Sequence, residues 1–375
     1  MSSELVERKL VMNLPQGQSA FLWGPRKSGK STFLKEKFPL SVYYNLLETD
    51  LFFRLNKAPY LFREEIESLT PAQLSRPIII DEVQKIPELL EEVHLLIEKK
   101  KISFILCGSS ARKLRKVHAN LLGGRAWRFH MFPFTSVELK KLNLLDVFSR
   151  GLIPSHYQSA QYRKSLKAYV HDYLNEEIRA EGLVRNLSAF GKFIDSLRFC
   201  NGELINYSNI ARDCAVDSKT VKEYFQILVD TLLGDYIWPF VASPARDSIT
   251  STPKFYLFDV GVANYIKNVK IDDLKGADAG HAFEHFILME LWAYRGYCDL
   301  EFDIAYWRTK AGHEVDFVLD RGKIAIECKI SSMVENRDMK NLIKFAEISK
   351  PQRLILVCNE KRNRITEIDG KKIEI

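Results

Sequence analysis

Cysteine is scarce in this sequence. Six are scattered over 375 residues (Cys107, Cys200, Cys214, Cys298, Cys328 and Cys358), and no two form a CxxC pair. That excludes a disulfide framework and a cysteine-ligated zinc site, and fits a reducing, cytoplasmic setting. No apolar run approaches the ~18 residues of a membrane span. The strongest, FILMELWAY, is short and interrupted by Glu290. The N-terminus, MSSELVERKL, lacks the apolar centre of a signal peptide, so no membrane partner is expected. Acidic residues are absent from Lys99 to Arg128, where nine Lys or Arg stand. What is present is ordinary for a globular protein: 46% hydrophobic and 27% charged residues. Disorder and coiled coil are excluded as the dominant state. At about 100–200 residues per domain, the length predicts two or three domains. The net charge of +7 makes an anionic partner plausible without specifying one.

The first pattern with chemical content follows a short apolar run, Ser19–Trp23. The segment Gly24-Pro25-Arg26-Lys27-Ser28-Gly29-Lys30-Ser31-Thr32 matches GxxxxGK[ST] and leads into the amphipathic FLKEKF. This is the order strand, glycine loop, helix. Glycines let backbone N–H groups curl around phosphates, and the helix N-terminus adds partial positive charge. Lys30 is expected to reach the β- and γ-phosphates, and the Ser31 hydroxyl to ligate Mg²⁺. Some 50 residues on, RPIIIDEVQK reads as a strand buried on both faces, as in a parallel sheet under helices. Asp81 at its carboxyl end is placed to hold Mg²⁺, and Glu82 to polarise the attacking water as general base. The pattern predicts ATP binding.

A third strand, ISFILC (102–107), ends in GSS. In ATPases that insert a strand between the loop strand and the acidic strand, a polar residue there faces the γ-phosphate. Ser109 is the candidate, with Ser110 beside it. LLGGRAWRF then carries Arg125, a candidate for stabilising transition-state charge in cis or from a neighbouring subunit of a homo-oligomer. A plain surface role within the basic block is the other reading of Arg125.

In this order, GPRKSGKST, IIIDEVQK, ILCGSSARKL and LLGGRAWRFHMFPFTSVEL resemble a widespread family of bacterial and archaeal AAA-type ATPases. In that family the ATPase domain precedes a largely uncharacterised C-terminal region that often ends in a restriction-nuclease-like fold. The resemblance covers essentially the whole chain, and Pro133, Phe134 and Glu138 are among its specific elements. It implies that Lys30 and Ser31 bind nucleotide and Mg²⁺, that Asp81 and Glu82 serve hydrolysis, that Ser109 is a sensor and that Arg125 faces phosphate.

The middle of the chain reads as helical. Tyr162–Ala180 has helical spacing at Leu166, Val170 and Leu174. A short helix from Ser208, a turn near Ala215–Asp217 and a longer helix with apolar Val221, Phe225, Leu228 and Leu232 follow, with Asp217 or Ser218 as N-cap. YIWPF and KFYLF read as two strands flanking a polar loop. Helix, turn, helix, hairpin is the order of a winged helix-turn-helix. DNA would be read by Lys219, Thr220, Lys222 and Gln226. Only two of these four are basic and Glu223 lies among them, so contact with protein or another domain is the favoured reading of the helix pair.

The segment HEVDFVLDRGKIAIECKIS predicts a hairpin with Arg321-Gly322 as a two-residue loop. Val318 then pairs with Ala325, Asp316 with Glu327, and Glu314 with Lys329. Val315, Phe317, Leu319, Ile324, Ile326 and Cys328 share an apolar face. Asp316, Glu327 and Lys329 share the other. Facing carboxylates repel, and a second divalent metal between them would remove the penalty. Asp-x(10)-Glu-x-Lys is similar to the metal site of PD-(D/E)XK nucleases. In those folds a preceding helix adds a glutamate, which Glu284 matches. The bland reading is an ion pair of Lys329 with the carboxylates on an exposed face.

The expected architecture is α/β. An AAA-type P-loop parallel sheet (1–150) precedes a helical linker and winged helix-turn-helix (151–265) and a restriction-endonuclease-like α/β domain (266–375). The expected function is Mg²⁺-dependent ATP hydrolysis coupled to DNA. The alternative is an ATP-driven switch whose nuclease-like domain binds protein or nucleic acid without cutting. The lack of an acceptor-positioning motif argues against a kinase, and a single P-loop without later motor motifs argues against a helicase.

Overall fold

The structure, a computed structural model, describes residues 5–110, 121–173, 186–241 and 252–375. The chain forms two compact units. One comprises Met1–Leu139, Ile153–Ser155 and Asp230–Leu233, the other Lys140–Leu152, His156–Val229 and Gly234–Ile375.

The first unit is built on five parallel strands, β1 (Ser19–Trp23), β2 (Tyr43–Asn45), β3 (Ile78–Asp81), β4 (Phe104–Gly108) and β5 (Ala126–His130), in the order β2-β3-β4-β1-β5. Strands β1, β3 and β4 are buried along their whole length. Their continuous apolar runs require cover on both faces. Phe21, Trp23, Ile78, Ile80, Phe104 and Leu106 pack with Leu89, Leu90, Val93, Leu96 and Ile97 of the helix Leu89–Lys100. Strand β4 lies between β1 and β3, the insertion expected for the GSS strand. Because all five strands run the same way, the carboxyl ends of β1, β3 and β4 meet at one edge. Ligands of open α/β sheets bind at that edge.

The second unit carries an eight-stranded mixed sheet. Its strands are β6 (Gly234–Pro239), β7 (Lys254–Leu257), β8 (Ile304–Arg308), β9 (Glu314–Leu319), β10 (Ile324–Lys329), β11 (Arg353–Cys358), β12 (Ile365–Ile368) and β13 (Lys371–Glu374). Their order is β12-β13-β11-β10-β9-β8-β6-β7. The helix-turn-helix is present as Tyr207–Cys214 and Ser218–Asp230, and Asp217 caps the second helix by accepting the Thr220 N–H at 2.7 Å. Val221, Phe225 and Leu228 are buried as the spacing predicts. Phe225 packs against Phe193 of the helix Leu187–Ser196 and Phe255 of β7, each with ring centroids 4.9 Å apart.

The wing expected after this helix pair is different. Strands β6 and β7 do pair as an antiparallel hairpin, but β6 continues into parallel pairing with β8 through Trp238 and Pro239. The hairpin is therefore the edge of the C-terminal sheet, and a boundary at residue 265 does not separate two sheets. The loop between β6 and β7 lies outside the described residues over 242–251, as does the end of the predicted helix Tyr162–Ala180 beyond 173. Of that prediction, Leu166 and Val170 are buried.

Candidate functional site

The nucleotide signature assembles at the carboxyl edge of the first sheet. The loop Gly24–Gly29 follows β1, and Lys30 opens the helix Lys30–Lys37. Gly29 has φ 96°, in the left-handed region where glycine carries no steric penalty. At Gly24 a side chain would collide with the Met131 carbonyl, so only glycine fits. The Lys30 ammonium is buried and donates to the carbonyls of Gly24 (2.8 Å) and Pro25 (3.0 Å). Ser31 Oγ donates to Asp81 Oδ2 at 2.6 Å, joining the loop helix to β3. Ser28 Oγ is buried without a hydrogen-bond partner. Side chains of Pro25, Arg26, Lys27 and Thr32 belong to the same loop and helix start, and Lys27 adopts φ 65°.

Asp81 ends β3, and Tyr43 of β2 donates its hydroxyl to the same Oδ2 at 2.5 Å. Burial, then the Asp81 carboxylate, push the Tyr43 phenol far above its ordinary value, so it is a permanent donor. Nothing local in the sequence flags Tyr43, which stands 38 residues from its partner. Glu82 takes a left-handed backbone, φ 59° and ψ 41°, a conformation uncommon for non-glycine residues. Its carboxylate accepts from Gln84 Nε2, which also donates to Ser109 Oγ. Ser109 is buried just past the end of β4. Ser110 is also buried there.

Arg125 is elsewhere. It precedes β5, whose Ala126 pairs with Ser19 at the start of β1. The loop Gly24–Gly29 follows the end of β1, so at ~3.3 Å per residue the two lie more than 10 Å apart along the sheet. Arg125 pairs instead with Glu98, and Gln18 donates to its carbonyl. The assignment of Arg125 to the phosphates of its own chain is thereby corrected. In a parallel sheet, a residue before a strand and a residue after one end at opposite edges. The same holds for Lys99, Lys100 and Lys101, which precede β4 at the amino edge and so do not serve the loop. Basic residues 112–116 lie outside the described residues.

The second candidate site lies in the other unit. The hairpin takes the predicted register, Leu319↔Ile324, Val318↔Ala325 and Phe317↔Ile326. Lys323 N–H closes the turn onto the Asp320 carbonyl at 3.2 Å, with Arg321 at φ 56° and Gly322 at φ 91°. The ladder ends at Phe317, one pair short of the expected Asp316–Glu327 pair. The cause is a bulge: between Ala305↔Val318 and Trp307↔Val315, Asp316 and Phe317 stand opposite the single Tyr306. The bulge also brings Val315 into the cluster with Val318, Ala325 and Trp307, off the face predicted for it. Nor is the carboxylate face bare. Leu342, Phe345 and Ala346 of the helix Lys340–Ser349 pack on it.

Asp316 Oδ2 accepts the Cys328 N–H at 2.7 Å. Glu327 is 2% exposed; Lys329 Nζ donates to its Oε1 at 2.7 Å, and its Oε2 has no partner. Glu284, on the helix Gly276–Tyr297, accepts from Tyr256 Oη and Lys254 Nζ of β7. Burial, then Glu284 and Glu327, push the Asp316 carboxyl well above the usual range. Burial also raises Glu327, offset in part by Lys329. The three carboxylates and Lys329 are thus electrostatic neighbours. Sequence reasoning missed Lys254, which is buried between Glu284 and Glu314 (2.5 Å). Burial alone would lower Lys254, but those carboxylates hold it charged. Among the described residues no group of three His, Cys, Asp or Glu is arranged to hold a metal ion.

Comparison with known proteins bears on the first unit most directly. Residues 16–140 match the family described as AAA domain. Residues 142–273 match a domain of unknown function, DUF8612, and residues 279–373 another, DUF4143. Uncharacterized proteins of Mycobacterium bovis and Mycobacterium tuberculosis are each 26% identical over 345 residues, spanning 85% of this chain and 73% of theirs. Among solved structures, a signal transduction ATPase with numerous domains (STAND) protein with a tetratricopeptide repeat sensor from Pyrococcus horikoshii is 13% identical. That match covers 74% of this chain and 43% of the other at a TM-score of 0.18, which carries no argument. The AAA match and the parallel sheet with its P-loop agree: residues 16–140 are similar to the AAA domain family and take a P-loop type of fold. Neither C-terminal match is described as a winged helix or a nuclease. No described helix is long and apolar enough to cross a membrane.

Proposed function

We propose that the protein binds ATP with Mg²⁺ at Gly24–Thr32 and hydrolyses it. The carrying observation is the Ser31–Asp81 hydrogen bond of 2.6 Å beside the loop, which brings two hard oxygen donors together. These donors fit Mg²⁺, which when bound would neutralise phosphate charge. Lys30 would exchange the Gly24 and Pro25 carbonyls for phosphate oxygens. Glu82, one residue past Asp81, would accept the proton of the attacking water, and Ser109 would meet the γ-phosphate. Lys30→Ala in the purified protein is expected to abolish ATP binding and turnover; turnover at the wild-type rate removes the assignment.

A second reading concerns the C-terminal unit. Glu284, Asp316 and Glu327 would hold a second divalent metal, with Lys329 beside it and DNA as partner. The like charges of Glu284 and Glu327 that raise the buried Asp316 carboxyl favour it, while the absence among the described residues of three such groups arranged to hold a metal counts against it. The counter-charges of Lys254 and Lys329 favour the switch reading, in which this unit binds protein or nucleic acid without cutting. Incubation of wild type and Asp316→Ala with single- and double-stranded DNA and Mn²⁺ decides between them. Cleavage by wild type alone supports the metal site, and intact DNA beside normal ATP turnover supports the switch.

A further inference from the structure

Gln84 has no part in the nucleotide signature, yet its side chain sits between two of the groups that signature supplies. It lies in the single turn Val83–Lys85 after β3 and is 7% exposed. Its Nε2 donates to Glu82 Oε2 at 2.5 Å and to Ser109 Oγ at 3.2 Å. An amide nitrogen carries two hydrogens, so both bonds can be made at once. Glu82 offers only acceptors, which determines which end of the amide faces it. The other end, Oε1, is buried with no partner and lies where a side chain at position 108 would have to sit. Gly108 therefore leaves room for this amide and for nothing larger. Glu82 and Ser109 belong to the ends of different strands, β3 and β4, and Gln84 joins their side chains.

We infer that Gln84 is a positioning residue that ties the orientation of Glu82 to Ser109, and so to whatever occupies the end of β4. The inference rests on the ATPase reading above. A carboxylate on a left-handed turn has rotamer freedom that a buried amide removes, and a general base is effective only when aimed at its water. The held state also couples the two strand ends: a ligand that reorients the Ser109 hydroxyl changes one of the amide's two acceptors and through it the other. Gln84 touches no phosphate in this scheme. Its removal should therefore slow turnover without weakening binding.

The test uses the full-length protein, measuring ATP turnover and the affinity of a fluorescent ATP analogue for Gln84→Ala, Gln84→Glu, Ser109→Ala and the double variants. Gln84→Ala is expected to lower kcat at least tenfold while KM and analogue affinity stay within twofold. Gln84→Glu keeps the size but cannot donate to Glu82, so it should lose kcat likewise, which serves where the alanine variant does not fold. In the Ser109→Ala background Gln84→Ala should cost less than threefold, because one of the coupled partners is already gone. Wild-type kcat in both Gln84 variants, a parallel loss of kcat and affinity, or multiplying losses in the double variant overturns the coupling. If Lys30→Ala and Glu82→Gln are inactive while Gln84→Ala is not, the coupling alone falls. If Lys30→Ala still turns over ATP, the ATPase reading itself falls.

Discussion

A single arginine explains residues that the sequence marks without giving them a role. The Arg8 guanidinium pairs with Glu138 at 3.1 Å and donates to the carbonyls of Ser28 (2.6 Å) and Phe132 (2.6 Å). It also lies over the Phe134 ring at 5.2 Å. Glu138 in turn accepts from the Lys9 and Thr135 N–H groups. Pro133, Phe134 and Glu138 thus form the socket of a staple that ends on the nucleotide loop. Both side chains are nearly or fully buried, so removing one partner strands the other's charge, at a cost of about 3–5 kcal/mol. Arg8→Ala is expected to lower unfolding stability by about that much and to weaken ATP binding, read by urea titration and analogue affinity. Arg8→Lys should not restore it, because a point charge cannot replace the guanidinium fork. An Arg8→Ala protein with wild-type stability would show the staple to be energetically idle.

At the scale of elements, the C-terminal sheet and its long helix are joined by His285. Its Nε2 meets the Leu257 carbonyl of β7 at 2.6 Å, and its Nδ1 meets Asn201 at 3.3 Å. Burial drives its pKa down from 6.5 to about 4. Between those values the unfolded chain takes up a proton that the folded protein refuses. The histidine's contribution to stability is therefore complete above about pH 6.5 and is lost progressively toward pH 4. Asp316 and Glu327, whose carboxyls are pushed up, act with the opposite sign, so the difference between wild type and His285→Gln isolates the histidine. In EDTA, the thermal midpoint of wild type should fall more steeply from pH 7 to pH 5 than that of His285→Gln. Parallel profiles would mean that the imidazole is not held neutral.

At the scale of the molecule, the first unit is not a continuous stretch of chain. It takes back Asp230–Leu233 after the second helix of the helix-turn-helix. Leu232 packs against its core and Leu233 is fully buried. A fragment ending at residue 150 lacks both leucines and exposes the surface they cover. Its melting midpoint should lie several degrees below the nucleotide-stabilised transition of the full chain, measured by calorimetry with and without ATP. An equal midpoint would show that the returning segment adds nothing to the unit.

The sequence by itself determined what is local or periodic. The glycine loop before a helix, the acidic pair closing an apolar run, the helix cap at Asp217 and the register of β9 and β10 all rest on neighbours a few residues apart. Turn chemistry and side-chain period decide such features. Which edge of the sheet a residue reaches follows from strand direction, and on that ground the placement of Arg125 could have been foreseen. The tertiary structure alone decided what depends on distant partners. The bulge at Asp316 needs the opposing strand β8. Tyr43, Gln84 and Arg8 each acquire a role from a partner far along the chain, Asp81 (38 positions), Ser109 (25) and Glu138 (130) respectively. Lys254 enters the carboxylate cluster because β7 joins the C-terminal sheet rather than a separate wing. Burial makes those contacts matter energetically, and burial is a property of the packed chain, not of any segment within it.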